Sequence, residues 1–166
     1  MTAVFRRTVR DTLCALVTVA LLLVPALTQA PVVGAEPAVL ARQMIDQVNQ
    51  VRAEAGLSQL GEAVALDEVA VDRSSDMAAR GYFSHTTPEG QTVFMMLKER
   101  GLGFRVAAEN LAWSTYSEDQ ASQVAFQSFL NSAPHRANIM QPEFSQIGVG
   151  VANNGGKIYF TLVFVG

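Results

Sequence analysis

Ile147-Gly148-Val149-Gly150-Val151-Ala152-Asn153-Asn154-Gly155-Gly156-Lys157-Ile158-Tyr159-Phe160-Thr161-Leu162-Val163-Phe164-Val165 is the stretch that decides the class of this chain. Ile147, Val149 and Val151 alternate with small residues, and Asn153 to Gly156 read as a turn. Lys157 to Val165 then runs apolar on both faces. The pattern predicts a hairpin whose second strand is covered on both sides. Such a sheet needs helices above and below it.

Upstream, the period is helical. Leu40, Met44, Val48 and Val51 recur every three or four residues with polar residues between them, predicting a helix that ends at Gly56. A second helix is expected from Ala63 to Arg80, with Leu66, Val69, Ala70 and Met77 on one face and Gly81 as its stop. Tyr82 to Gly90 reads as a loop, and Thr92 to Arg100 as a short helix closed by Gly101. Phe104 to Ser114 is ambiguous between strand and loop. Ser117-Glu118-Asp119-Gln120 reads as a capping box opening a helix to about Asn131, and Pro134 fits the first turn of a further short helix carrying His135 and Ile139. Helices first and strands last argue against a parallel doubly wound fold. The expected class is α+β, with three or four helices around a small central antiparallel sheet.

The first 35 residues read as a secretory signal peptide. Arg6, Arg7 and Arg10 precede an uncharged apolar run from Leu13 to Ala26, and small-residue patterns offer cleavage after Ala30 or Ala35. Membrane contact is expected only through this segment, were it left uncleaved. Its removal takes away the single cysteine, Cys14, and with it all thiol chemistry. It also takes away Arg6, Arg7, Arg10 and Asp11, so the formal net charge of −3 becomes −5. That sign repels phosphate backbones and excludes nucleic acid as a natural partner. Residues 36–166 are expected to form one secreted, monomeric domain, with retention at the cell surface left open.

Chemistry is concentrated in few residues. The chain has two histidines: His85 follows Tyr82-Phe83-Ser84, and His135 lies in Asn131-Ser132-Ala133-Pro134-His135-Arg136-Ala137-Asn138-Ile139-Met140. Glu109-Asn110 lies between them in sequence. Imidazole and carboxylate suit a zinc-like divalent cation, and two His with one Glu would leave a coordination position open. The spacing of His85, Glu109 and His135 forms no local metal motif, so they can meet only through folding. A Ser/His/Glu hydrolase built on Ser84 or Ser132 is an alternative without a Gly-x-Ser-x-Gly elbow. Phe83, Phe94, Phe104, Phe126, Phe129 and Phe144 read as core and Met95-Met96 as packing, while Trp113 is open as a half-exposed residue lining a cleft.

Taken in order, Asn49-x-x-Arg52, Asp76-Met77, Phe83-Ser84-His85, Glu109-Asn110-Leu111, Ser132 to Met140 and Ile147-Gly148-Val149-Gly150 resemble the CAP superfamily, the cysteine-rich secretory protein, antigen 5 and pathogenesis-related 1 group, in its bacterial SCP-like extracellular branch. The resemblance covers about Ala41 to Phe164. It implies an α-β-α sandwich and a surface cavity where two His and two acidic residues can hold a divalent cation such as zinc. His85, Glu109 and His135 match three of these four. The fourth falls in Phe129-Leu130-Asn131-Ser132, where Ser132 replaces the acid. The expected function is non-enzymatic binding at a cavity built by His85, Glu109 and His135 with Ser132 on its rim. The expected occupants are a lipid- or sterol-like small molecule, a cell-wall component or a cation. The alternatives are a metal-assisted or serine-type hydrolase and an interaction module whose polar cluster is purely structural.

Overall fold

The computed structural model describes residues 36–166; the signal-peptide segment, its cleavage sites and Cys14 lie outside the described residues. Five helices and four strands follow in the order α1 (Pro37–Glu54), β1 (Gly61–Glu62), α2 (Val64–Arg80), α3 (Val93–Glu99), β2 (Ala107–Ser114), α4 (Glu118–Asn131), α5 (Ala133–Ile139), β3 (Gln146–Asn153) and β4 (Ile158–Val165). The sheet order is β1-β3-β4-β2.

The C-terminal hairpin forms as its alternation predicts, with Ile147 opposite Phe164 and Val151 opposite Phe160. All eight residues of β4 are buried. Ile158, Phe160, Leu162 and Phe164 join the core beneath α1 and α4, where Met44, Val48, Ala125 and Phe129 meet them. Val163 and Val165 join Leu66, Val69 and Ala70 of α2 and Val93 and Leu97 of α3 on the other face. The strand is apolar on both sides because it has helices on both sides. The α-β-α sandwich follows, with α5 packed against α4 and β2.

The central three strands are antiparallel, as expected, but β1 pairs parallel with β3 and makes the sheet mixed. Two hydrogen bonds place it. Asn49 Nδ2 donates to Leu60 O at 3.0 Å, and Leu60 N–H donates to Asn49 Oδ1 at 2.7 Å, which lays Gly61 and Glu62 alongside Gln146 and Ile147. The ambiguous segment 104–114 resolves into a full strand, paired with β4 from Ala107 to Ser114.

Helix α2 lies on β3 without intervening side chains. A Cβ at Gly148 would stand 2.2 Å from the Leu66 carbonyl carbon, and one at Gly150 would stand 2.0 Å from that of Ala70. Only glycine permits this approach. Polar groups of α2 then tie the layers: Asp67 Oδ1 accepts from Val149 N–H at 2.8 Å, and Ser74 Oγ lies 2.9 Å from Gly150 O. Gly81 ends α2 in the left-handed conformation at φ 71°, as its position predicts.

Two local expectations fail. Ser117 makes no side-chain capping bond; its hydroxyl faces Gln120 Oε1 at 3.4 Å, so the two side chains engage each other and the reciprocal box does not form. Phe83 and Phe94 are 47% and 40% exposed and Met95 47%, because they lie on the loop and the first turn of α3 that border an open cavity rather than beneath the sheet.

Candidate functional site

A cavity of about 360 Å³ opens between the start of α3 and β2, lined by His85, Thr92, Val93, Phe94, Ala107, Ala108, Glu109 and Asn138. Its chemistry begins on β2. Glu109 shares the α2-facing side of the strand with Leu111, and its carboxylate is almost fully covered. One oxygen, Oε2, lies 2.6 Å from His85 Nδ1. The other, Oε1, accepts from Arg73 Nε at 2.9 Å. A carboxylate on Nδ1 makes that nitrogen the donor and leaves Nε2 with the lone pair, available to accept a hydrogen bond or bind a metal. The imidazole itself is well exposed, so the arrangement presents an oriented nitrogen from a buried support.

Arg73 extends the support inward. Its Nη2 donates to Ser84 O at 2.6 Å and its Nη1 to the Tyr82 hydroxyl at 3.0 Å; that hydroxyl donates in turn to Asp76 Oδ2 at 2.5 Å. The guanidinium thus fixes both Glu109 and the backbone immediately before His85. Burial, then the bond to Asp76, raises the Tyr82 pKa above its ordinary value.

The second histidine approaches from α5. Asn110, fully buried on β2, donates through Nδ2 to His135 O at 3.0 Å and accepts from Asn138 Nδ2 at 2.8 Å. The His135 ring packs edge-on against Phe129 at 5.4 Å between centroids. Burial first, and then the charge of His85, lower the His135 pKa below 6.5. Folding therefore brings His85 and Glu109 into contact, and His135 feels the charge of His85. His135 and Ser132 are not among the cavity-lining residues. Ser132 joins α4 to α5 and makes no side-chain capping bond. Trp113 is half-exposed farther along β2, beneath the Lys157 ammonium at 4.3 Å, and also lies outside the lining. Among the described residues no three His, Cys, Asp or Glu side chains stand grouped to hold a metal ion.

The position of α5 depends on a second buried guanidinium. Arg52 donates from Nη1 to Ile139 O and Gln141 O, both at 2.8 Å, and from Nε to Ser58 O at 2.9 Å. Burial lowers its pKa.

Residues 45–165 match the sequence profile of the family described as CAP, the cysteine-rich secretory protein family. The chain belongs to the CAP family. YkwD of Bacillus subtilis (strain 168) is 30% identical to this CAP domain over 125 residues, which cover 75% of this chain and 46% of YkwD. Among solved structures, an extracellular protein containing an SCP domain from Bacillus anthracis str. Ames is 30% identical, with a TM-score of 0.70 over 78% of this chain and 41% of that one. An outer surface protein from Borrelia burgdorferi shares the fold at a TM-score of 0.71, with 17% identity, over 79% of this chain and 95% of its own. The chain thus spans less than half the length of YkwD and of the Bacillus anthracis protein. The two proteins of known structure are described as extracellular and outer surface proteins, and no helix among the described residues is long and apolar enough to cross a membrane.

Two features of the CAP domain site escaped the sequence reading. Arg73 was missed, although its spacing from Leu66, Val69, Ala70 and Met77 places it on the buried face of α2; a charged residue there needs a partner. The bridge from Asn110 to Asn138 was missed too, because nothing local distinguishes a cap from a tertiary clasp.

Proposed function

We propose that this CAP domain is a secreted, non-catalytic binding domain that holds a small ligand with an apolar body and a polar head in the His85 cavity. The observation that carries the reading is the composition of the wall. Val93, Phe94, Ala107 and Ala108 form an apolar surface that ends at one oriented imidazole, and a volume of about 360 Å³ suits a small ligand. Phe94 is 40% exposed at the rim, where a bound alkyl or ring system would cover it. Lipid-like molecules have this two-part chemistry; wall fragments are bulkier and more polar.

A non-catalytic role is supported by where the candidate serine nucleophiles sit. Ser132 is not part of the lining, and the Ser84 hydroxyl accepts from Thr86 N–H within its own turn. A cation held by the two imidazoles is a second reading. It is favoured by the lowered His135 pKa, because a metal requires the neutral ring.

The test is an NMR titration of the protein with octanol, octanoate and zinc chloride in parallel. Octanol or octanoate is expected to shift the backbone signals of Thr92–Phe94 and Ala107–Glu109, and Phe94→Ala and His85→Ala to weaken the effect about tenfold each. Signals that stay fixed with both amphiphiles reject the apolar-ligand reading. A response to zinc alone, lost in His85→Ala and in His135→Ala, would establish the cation reading instead.

A further inference from the structure

We propose that Arg73 is the built-in counter-cation of the cavity: it keeps a divalent cation off Glu109, so the residue at position 73 decides whether the carboxylate can serve as a metal ligand. The inference rests on the reading of the His85 cavity as the binding site.

The geometry engages both oxygens of Glu109, one of them with a buried positive charge. Its Oε1 receives Arg73 Nε at 2.9 Å and its Oε2 faces His85 Nδ1 at 2.6 Å. An ion would have to share the carboxylate with both partners or displace one of them. The carboxylate cannot readily shed Arg73. The guanidinium side chain is 0% exposed, and its remaining nitrogens are held by the Tyr82 hydroxyl and the Ser84 carbonyl, so it has no solvent-facing conformer to retreat to. A dication at Glu109 would therefore stand next to a fixed positive charge in a region of low dielectric, where repulsion is strong. Ser132 occupies the position where the resemblance places a second acid, so no other carboxylate of that set offsets the repulsion. Arg73 and Glu109 neutralise each other without a metal. The His85 orientation is then a property of the folded chain alone.

The converse follows. With the guanidinium removed and the side-chain length kept, Glu109 is a buried carboxylate with a free oxygen beside an imidazole, which is the beginning of a metal site. The test is calorimetric titration of zinc chloride into the full chain as wild type, Arg73→Met and Arg73→Met with His85→Ala, each checked for folding by far-UV circular dichroism. Arg73→Met is expected to bind zinc at least about tenfold more tightly than wild type, and His85→Ala to abolish the gain. A folded Arg73→Met chain with wild-type zinc affinity overturns the proposal, as does a gain that survives His85→Ala. Zinc-soaked wild-type crystals give a measurement that does not depend on the variant folding. The Arg73 to Glu109 contact is expected to persist, and zinc bonded to a Glu109 oxygen overturns the proposal. Zinc alone is the probe here, so failure of this inference and failure of the octanol and octanoate titration are read separately.

Discussion

Arg52 and Arg73 are both fully buried, yet one has a carboxylate partner and the other has only carbonyls. Arg52 gathers oxygens at the last residue of α5 and just beyond it, where the helix dipole is negative, and so stabilises the helix that carries His135 and Asn138. Arg52→Met would leave those carbonyls buried without a donor; the expected loss is about 3 kcal/mol, read as a lower urea midpoint with unchanged slope. His135 gives a pH-dependent counterpart. Its pKa is lowered in the folded state by burial and by His85, so the unfolded chain takes up a proton at a pH where the folded chain does not. The stability it contributes is present above the unfolded value of 6.5 and is lost as the pH falls through the lowered folded value. His135→Gln is expected to flatten the stability profile between 6.5 and the lowered folded value, measured by urea denaturation at several pH values between about 5 and 7.

At the scale of the element, α2 does two jobs. It covers the sheet, and it carries Arg73 to the underside of the cavity. Gly148 and Gly150 make both possible by letting its backbone touch β3. Gly150→Ala puts a methyl 2.0 Å from the Ala70 carbonyl carbon, so the helix must lift. The expected cost is about 3 kcal/mol or more, seen as a lower melting temperature, with weaker octanol binding because Arg73 moves with the helix. This element also shows what the sequence could and could not reveal. The helix, its Gly81 stop and its apolar face were legible, because each is a local pattern. The role of Arg73 was not, since its partners lie 9, 11 and 36 residues away and only the fold brings them together. Strand β2 was hidden for a related reason. Glu109 and Asn110 look unlike a buried strand until Arg73, His85 and Asn138 are present to satisfy them. Strand β1, two residues long, has no periodicity to detect.

At the scale of the molecule, β4 belongs to both cores, and side chains connect the layers across long stretches of chain: Arg52 reaches the loop after α5, Ser122 Oγ donates to Leu40 O, and Asn49 holds Leu60. Neither helical layer has a strand set of its own to fall back on. Unfolding is therefore expected to be a single cooperative step. Far-UV circular dichroism and the fluorescence of the sole tryptophan, Trp113, should give coincident urea transitions, and separate midpoints would refute this. The family architecture was readable from the ordered motifs because they occur at the places where layers meet. The contact of α2 with β3 has a last consequence, for redesign. The separation there is already at its lower limit, with peptide planes as the spacer, so no side-chain replacement can bring the two elements closer. Arg73, which α2 holds behind Glu109, can be exchanged against a fixed ruler, and a change at position 73 alters what is delivered to the carboxylate without altering how far it is carried.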